Sequence, residues 1–344
     1  MRLSICLLAL VLSLAQAANV RAQTAPPQTF RGTIGEQAVV MKLQRDGDKL
    51  TGTYSYERIG QSLTLKGQID AQGNVTLAEF DTAGRQTGQF KGKLEPDEER
   101  TDAFILDGTW ARADGSHETS FDLHEQQLAF TNGLQFTSKT IADRRLNIKV
   151  IYPQLAGGDA PGVIAFNRAV EAFATKLVSE YRKEAVPIDH GGGFETDYNV
   201  LLATDDLVSV EFNEENWGGA HPEADHDAIT YDLRSGRALT LAALFKPGAK
   251  YADVLRRAAR KDMVARLKRL EAENNQDADE SIFSDEDLKE WHAWGLTPRG
   301  LILYFELPHV IAVFDKAFVP WAELKDVLDP KGPAAQLAQK NGSH

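Results

Sequence analysis

Residues 216–227, NWGGAHPEADHD, hold the densest set of side chains in this sequence that could do chemistry. His221 and His226 lie on either side of Asp225, and imidazole and carboxylate groups serve both as metal ligands and as general acids or bases. A metal-dependent hydrolase that uses His221, Asp225 and His226 is therefore one alternative. The common zinc motif instead places two histidines four residues apart on a helix, and no helical periodicity surrounds these residues. We predict that no residue here is catalytic and that none binds a metal.

The same stretch can also be interpreted as a rigid corner between two strands. Gly218 and Gly219 permit a positive φ, Pro222 fixes the direction in which the chain leaves, and His221 can hydrogen-bond across the turn. A rigid loop that carries a tryptophan is well suited to binding another protein. We therefore predict a binding site formed by Trp217, Gly218, Gly219, His221, Pro222, Asp225 and His226.

No other motif in the sequence indicates catalysis or a cofactor. The phosphate-binding patterns G-x-x-x-x-G-K-[ST] and G-x-G-x-x-G do not occur, and neither does the G-x-S-x-G elbow of serine hydrolases. The acidic segment 277–290 lacks the glycine at the sixth position of a calcium-binding loop. We predict no cofactor.

The first half of the chain is patterned as a series of short strands. From Phe30 to Glu125, apolar and polar residues alternate, and Asp-Gly and Gln-Gly pairs interrupt the alternation at hairpin spacing. Glycines followed by threonine and an aromatic residue recur, as in LTGTYSY and LDGTW, and they indicate close backbone approach beside aromatic side chains that fill an interior. We predict an antiparallel, barrel-like domain over 23–127. It is either packed with its own side chains or a lipocalin-like cup that carries a small ligand.

The second half mixes strands with two clear helices. Residues 161–185 and 251–273 place apolar residues at helical spacing, and the segments around them read as strands joined by turns. Strict alternation of strand and helix is missing, so we predict the α+β class, with two main helices packed on an antiparallel sheet over 128–330. We expect the tail, 331–344, to be disordered.

The N-terminus has the pattern of a secretory signal peptide over 1–22, with an apolar stretch and small residues before the expected cleavage sites. The only cysteine, Cys6, lies in this apolar stretch, so an exported chain would have no thiol and no disulfide. The apolar stretch is too short to span a membrane, which takes roughly 20 residues. These features predict a periplasmic or secreted protein with no membrane span.

The charge balance bears on the choice of partner. Fifty acidic residues against 38 basic residues give a formal net charge of −12. This charge disfavours nucleic acid as a partner and makes a cationic partner more plausible, although acidity also serves solubility.

From residue 205 onward the sequence resembles the domain of unknown function 3298 family. That module also forms the extracellular C-terminal part of the RsiV anti-sigma factor, which binds lysozyme. The resemblance covers residues 130–330 and rests on these segments: Ser209–Phe212, Gly218–Pro222, Tyr231–Leu233, Gly236, Leu239–Leu241, Leu244–Phe245, LTPRGLILYFE and FVPWAEL. The sequence departs from the family pattern at LPHVIAVFDKA, residues 307–317, where relatives read like Y-x-V-A-P-Y-A-x-G.

The resemblance implies a binding function. A non-enzymatic envelope module that recognises lysozyme, another cationic protein or peptidoglycan fragments through its C-terminal domain is the function we predict. An acidic surface would suit a cationic lysozyme electrostatically. The anti-sigma role is not implied, because the sequence lacks the transmembrane helix and the sigma-binding segment of such a factor.

Overall fold

The computed structural model describes residues 27–57, 59–98, 100, 103–184, 191–218, 222–274 and 276–341. The predicted signal peptide, 1–22, lies outside these described residues. Within them, no helix combines the length and the apolar character that crossing a membrane requires.

Eight antiparallel strands form a closed up-and-down barrel. The strands are β1 (Gln28–Ile34), β2 (Gln37–Asp46), β3 (Lys49–Tyr56), β4 (Ser62–Ile69), β5 (Asn74–Phe80), β6 (Gln86–Pro96), β7 (Phe104–Arg112) and β8 (Thr119–Gln126). Each strand pairs with the next, and β1 pairs with β8 from Thr29↔Gln126 to Ile34↔Phe121, which closes the barrel. The structure therefore confirms the predicted barrel-like fold.

The barrel interior is filled by its own side chains. The rings of Tyr54, Phe90 and Phe121 meet edge to face with centroids 5.4 and 5.3 Å apart. The buried Glu79 accepts hydrogen bonds from Tyr54 Oη at 2.6 Å and from Trp110 Nε1 at 2.8 Å. Such packing is typical of small eight-stranded barrels. Of the two alternatives that the sequence left open, the packing supports the barrel filled with side chains and gives the ligand cup no support.

The recurring glycines are required by close contact between strands. A Cβ atom at Gly52 would lie 2.0 Å from the carbonyl oxygen of Lys42 on the neighbouring strand, a distance that no side chain can tolerate. Two residues later, Tyr54 is fully buried in the barrel. The recurring pattern of glycine, threonine and an aromatic residue therefore has both roles that the sequence indicated: the glycine permits close approach of the strands, and the aromatic ring fills the interior.

A mixed six-stranded sheet follows the barrel, with spatial order β14-β13-β12-β11-β10-β9. Its strands are β9 (Gln135–Asp143), β10 (Ile148–Ala156), β11 (Gly193–Ala203), β12 (Leu207–Trp217), β13 (Glu223–Asp232) and β14 (Arg237–Ala238). Helix α1 (Pro161–Glu184) covers one face of this sheet, where Phe173 packs on Phe212 with centroids 4.6 Å apart.

The sheet that was predicted to be antiparallel contains one parallel pair of strands. β10 and β11 run parallel over Ile148↔Phe194 to Val150↔Thr196, because α1 carries the chain back across the sheet between them. Parallel neighbours need such a crossover connection, whereas the other pairs in this sheet are joined through turns.

A three-stranded antiparallel sheet and the second main helix complete the α+β part. The strands are β15 (Ala293–Leu296), β16 (Gly300–Tyr304) and β17 (Lys316–Pro320), and the helix is α2 (Tyr251–Glu273). Three short 3-10 helices lie at Leu241–Leu244, Glu280–Ile282 and His309–Phe314. Leu201 of β11 packs with Ile302 and Phe318 in a small core between the two sheets.

The end of the chain is ordered up to residue 341. After α3 (Trp321–Leu324), residues Ala335–Asn341 form α4. Ala334 and Ala335 are buried, and Leu337 packs on the core that α2 shares with the three-stranded sheet. The expectation of a disordered tail therefore does not describe residues 335–341, because their small apolar side chains have a surface on which to pack.

Candidate functional site

The candidate site is built on two neighbouring antiparallel strands, β12 and β13. Their register places Glu214 opposite Asp225, Phe212 opposite Asp227, and Asn213 opposite His226. Since side chains alternate between the faces of a sheet, the first two pairs share one face and the third pair lies on the other. Asp225 and His226, which the sequence analysis assigned to a loop, therefore lie in a strand and project from opposite faces.

The corner between these strands is only partly described. Trp217 ends β12, half-buried beside Gly193, where a Cβ atom would come within 2.4 Å of its indole ring. Gly218 has a φ of 112°, the positive value that its sequence suggested. Pro222 is exposed just before β13, whereas Gly219 and His221 lie outside the described residues. Their predicted roles in the corner remain predictions.

The face that β12 and β13 share with α1 carries a cluster of carboxylates, here called the acidic face: Glu214, Asp225 and Asp227. Burial, together with the negative charges of Asp225 and Asp227, raises the pKa of Glu214 to about 7. Burial also raises the pKa of Asp227, and Asp225 adds to the effect. Within the described part of the chain, neither Glu214 nor Asp227 has a cationic side chain within ion-pair distance. The acidic face therefore concentrates negative charge that the protein itself does not fully neutralise.

The opposite face carries a hydrogen-bonded polar network. His226 Nδ1 lies 3.0 Å from Asn213 Oδ1, and His226 Nε2 lies 3.5 Å from Asp315 Oδ2. His292 Nε2 lies 2.7 Å from the carbonyl oxygen of His226. The imidazole of His226 thus links the six-stranded sheet to the segment before β17.

A buried carboxylate, Glu211, lies further along the same face of β12. Its Oε1 accepts hydrogen bonds from Lys316 Nζ and from Tyr304 Oη, both at 3.0 Å, and its Oε2 accepts one from Asn199 Nδ2 at 3.2 Å. Burial opposes ionisation, but the positive charge of Lys316 outweighs it and, with His226 and Arg100, lowers the pKa of Glu211 to about 2. Glu211 is therefore ionised, and three donors stabilise its charge.

A cleft of about 1140 Å³ lies between this face and the outer wall of the barrel. The sheet contributes Asn199, Glu211, Asn213 and Glu215, and the barrel contributes polar side chains of β1, β7 and β8. Its volume is slightly above the range of about 300–1,000 Å³ that is usual for small-molecule sites. The cleft is a concave surface on the side of β12 opposite the acidic face.

The geometry counts against the metal-binding alternative in the form that the sequence suggested. Adjacent residues of a strand project from opposite faces, so Asp225 and His226 do not converge on one point. Within the described ranges, no group of three or more His, Cys, Asp or Glu side chains is arranged to hold a metal ion. His221, the third member of the suggested set, lies outside those ranges.

Several residues of the site escaped the sequence analysis. Glu214 was not among the predicted site residues, yet it lies within β12 and joins the acidic face. The alternation of Glu211, Asn213 and Glu215 along β12 was the available signal for a polar face. Their partners Asn199, Asp315 and Lys316 come from distant parts of the sequence, and no local pattern indicates them.

Comparisons with known proteins place the chain beside a family without an assigned activity. Residues 242–314 match the family model described as "Protein of unknown function (DUF3298)". This match lies within the region of the predicted resemblance but does not include Gly218–Pro222. A comparison with curated proteins finds no match.

The solved structures that resemble this chain include two DUF3298 family proteins. A DUF3298 family protein from Pseudomonas aeruginosa PAO1 is 18% identical with a TM-score of 0.39, and the match covers 57% of this chain and 94% of that one. A member of the same family from Bacteroides fragilis is 13% identical with a TM-score of 0.37, and the match covers 60% of this chain and 98% of that one. Likenesses of this degree carry no functional argument. Over residues 242–314 the chain is therefore similar to the DUF3298 family.

Proposed function

We propose that this protein is an exported, non-enzymatic binding module that captures a cationic protein on its acidic face. The observation that carries the proposal is the cluster of Glu214, Asp225 and Asp227 on one face of two paired strands. Carboxylates that repel one another are stabilised when a partner supplies ammonium or guanidinium groups, above all where, as at Glu214 and Asp227, the described residues offer no ion pair. The net charge of −12 adds long-range attraction for such a partner.

Two exposed valines near β13 support a protein partner. Val310 and Val313 belong to the 3-10 helix His309–Phe314 and are 88% and 66% exposed. This helix ends just before Asp315, which contacts His226 of β13. The core of a protein interface is apolar and its rim is polar. The valines offer an apolar contact of this kind beside the face of the sheet that carries His226, and the acidic face offers the charged contact.

The family resemblance suggests a first partner to test. The RsiV module that this chain resembles binds lysozyme, a cationic protein, and an exported acidic module would meet it in the cell envelope. Trp217, Gly218 and Pro222 lie next to the acidic face and are included as proposed contacts, together with Gly219 and His221 of the same sequence segment. Peptidoglycan fragments are the other ligands that the proposal admits.

The test is calorimetric titration of the protein with hen lysozyme. Asp225→Asn with Asp227→Asn removes two charges from the acidic face, and we expect the affinity to fall by roughly tenfold or more at low salt. A variant with Glu36→Gln and Glu118→Gln loses two exposed charges from the barrel and serves as the matched control, which should bind like the unmodified protein. The difference between the two variants should shrink as salt increases.

Two results would overturn the proposal. One is the absence of binding to both lysozyme and soluble peptidoglycan fragments at micromolar concentration. The other is an equal loss of affinity in both variants, which would mean that net charge alone attracts lysozyme and that the acidic face has no special part.

A further inference from the structure

The last strand of the six-stranded sheet, β9, has an open edge. It pairs with β10 along its whole length, from Gln135 to Asp143. Among the described residues, no strand pairs with its other side. Natural proteins protect such an edge with proline, with charged side chains, with a bulge or by shortening the strand. β9 has no proline, pairs with β10 without a bulge, and carries Lys139 as its only basic residue.

The pairing with β10 shows which backbone groups of β9 face outward. In an antiparallel pair, opposite residues alternate between exchanging both hydrogen bonds and exchanging none. The N–H and the carbonyl oxygen of Leu155 bond to the side chain of Asn167, at 2.7 and 2.9 Å, so Leu155 exchanges none with Phe136 opposite it. By alternation, the residues of β9 whose N–H and C=O groups point away from β10 are Phe136, Ser138, Thr140 and Ala142. Within the described part of the chain, these backbone groups have no hydrogen-bond partner.

We infer that β9 pairs with β9 of a second copy of this chain, antiparallel and across a two-fold axis. A two-fold contact uses the same surface on both copies, so the strand must complement itself. With Thr140 opposite Thr140 of the second copy, the outward groups meet in three hydrogen-bonded pairs: Ser138 with Ala142, Thr140 with Thr140, and Ala142 with Ser138. Each outward donor of these residues then has an acceptor.

The side chains of β9 favour this register. It places Lys139 opposite Ile141 of the second copy and Thr137 opposite Asp143, so no like charges are directly paired. A register centred on Lys139 would place two lysines directly opposite each other, which destabilises a sheet. A register centred on Ile141 would leave Ser138 beyond the end of the partner strand.

The pairing would join two six-stranded sheets into one continuous sheet. Because the two-fold axis is perpendicular to the sheet, the acidic faces of both copies would lie on the same side. A partner with several cationic groups can then contact both copies and bind with avidity. The pairing itself depends neither on the acidic face nor on a partner.

The experiment is sedimentation equilibrium of the full chain at about 1–100 μM, where we expect a concentration-dependent dimer. Thr140→Lys places two lysines directly opposite each other at the axis and should raise the dissociation constant of the dimer about fivefold or more. Thr137→Lys is the matched control. It makes the same change in net charge on an exposed side chain of the same strand, but it meets Asp143 of the second copy and should leave the dimer as tight or tighter.

A second variant tests the backbone hydrogen bonds directly. Thr140→Pro removes an N–H that faces away from β10, a position where an edge strand tolerates proline. We expect this variant to keep its thermal unfolding transition and to lose the dimer.

Three results would overturn the inference. The first is a monomer over the whole concentration range. The second is an equal change in the dissociation constant in Thr140→Lys and Thr137→Lys, which would place the contact elsewhere or in another register. The third is a folded Thr140→Pro variant that dimerises as tightly as the unmodified protein. If Thr140→Pro fails to fold, the two lysine variants decide the question.

Discussion

At the scale of single residues, Glu214 combines a cost to the fold with the part in binding that we propose for it. Its pKa is raised to about 7, so the folded protein holds a proton on this side chain at pH values where the unfolded chain has lost it. The contribution of Glu214 to stability therefore falls as the pH rises from about 4.5 to about 7 and stays low above that range. A residue that weakens the fold near neutral pH is better explained by contact with a partner than by packing.

We predict that Glu214→Gln stabilises the protein and weakens its binding. The substitution removes a partly buried charge, so the free energy of unfolding should rise by roughly 1 kcal/mol at pH 8, after discounting for solvent screening, and change little at pH 4. Denaturant titrations at both pH values measure this. The same variant should bind lysozyme more weakly above pH 7. Equal stability changes at both pH values would show that the charge of Glu214 is not responsible.

At the scale of elements, the buried pair of Glu211 and Lys316 joins β12 of the large sheet to β17 of the small one. The pKa of Glu211 is about 2 in the folded protein and well below its ordinary value, so its stabilising contribution is present above about pH 4.5. This contribution is lost as the pH falls from about 4.5 toward 2. The pair therefore makes the contact between the two sheets sensitive to acid.

We predict that Lys316→Met lowers the free energy of unfolding at pH 7 by about 3–5 kcal/mol, because it leaves Glu211 buried without its cation. Adding Glu211→Gln should restore much of the loss and flatten the pH dependence below pH 4.5. Lys289→Met, which removes an exposed partner of Glu286, is the control and should cost less than about 1 kcal/mol. If Lys316→Met lowers the free energy of unfolding no more than this control does, the pair of Glu211 and Lys316 does not hold the sheets together.

The sequence predicted most of these elements, because alternation and helical periodicity are local signals. The bounds of α2 and the barrel-like first half followed from such signals. The parallel pairing of β10 with β11 did not, since it depends on where α1 returns the chain. The pairing of Glu211 with Lys316 could not be predicted from the sequence either, because the two residues lie far apart along the chain and meet only in the folded protein.

At the scale of the whole molecule, Arg31 anchors the barrel to the large sheet. Besides its bonds to Glu57 and Tyr198, it forms an ion pair with Asp197, and its guanidinium lies 4.0 Å from the centre of the Tyr198 ring. Gln126, at the end of the barrel, accepts a hydrogen bond from the backbone N–H of Val200 at 2.6 Å. The two parts of the chain are thus fixed against each other by specific polar contacts. A division of the chain at residue 127 into independent domains remains a prediction.

We predict that Arg31→Met splits or broadens the thermal unfolding transition, because the barrel and the sheet lose the contact that couples them. The lower transition should fall by several degrees, as expected for a buried ion pair worth about 3 kcal/mol or more. Differential scanning calorimetry measures this effect. Arg85→Met, which removes an ion pair whose arginine is 80% exposed, should leave the transition unchanged. Identical traces for the two variants would contradict the anchoring role of Arg31.

The backbone that follows the barrel is itself part of the sheet. The N–H of Gln127 donates to the carbonyl of Val200, the N–H of Ala203 donates to the carbonyl of Gln127, and the N–H of Ala129 donates to the carbonyl of Ala203. A truncated protein that begins at residue 130 would lose these hydrogen bonds at the end of β11. The exposed strand edge that remains would favour aggregation. Fragments meant for study of the second half alone should therefore begin before Gln126.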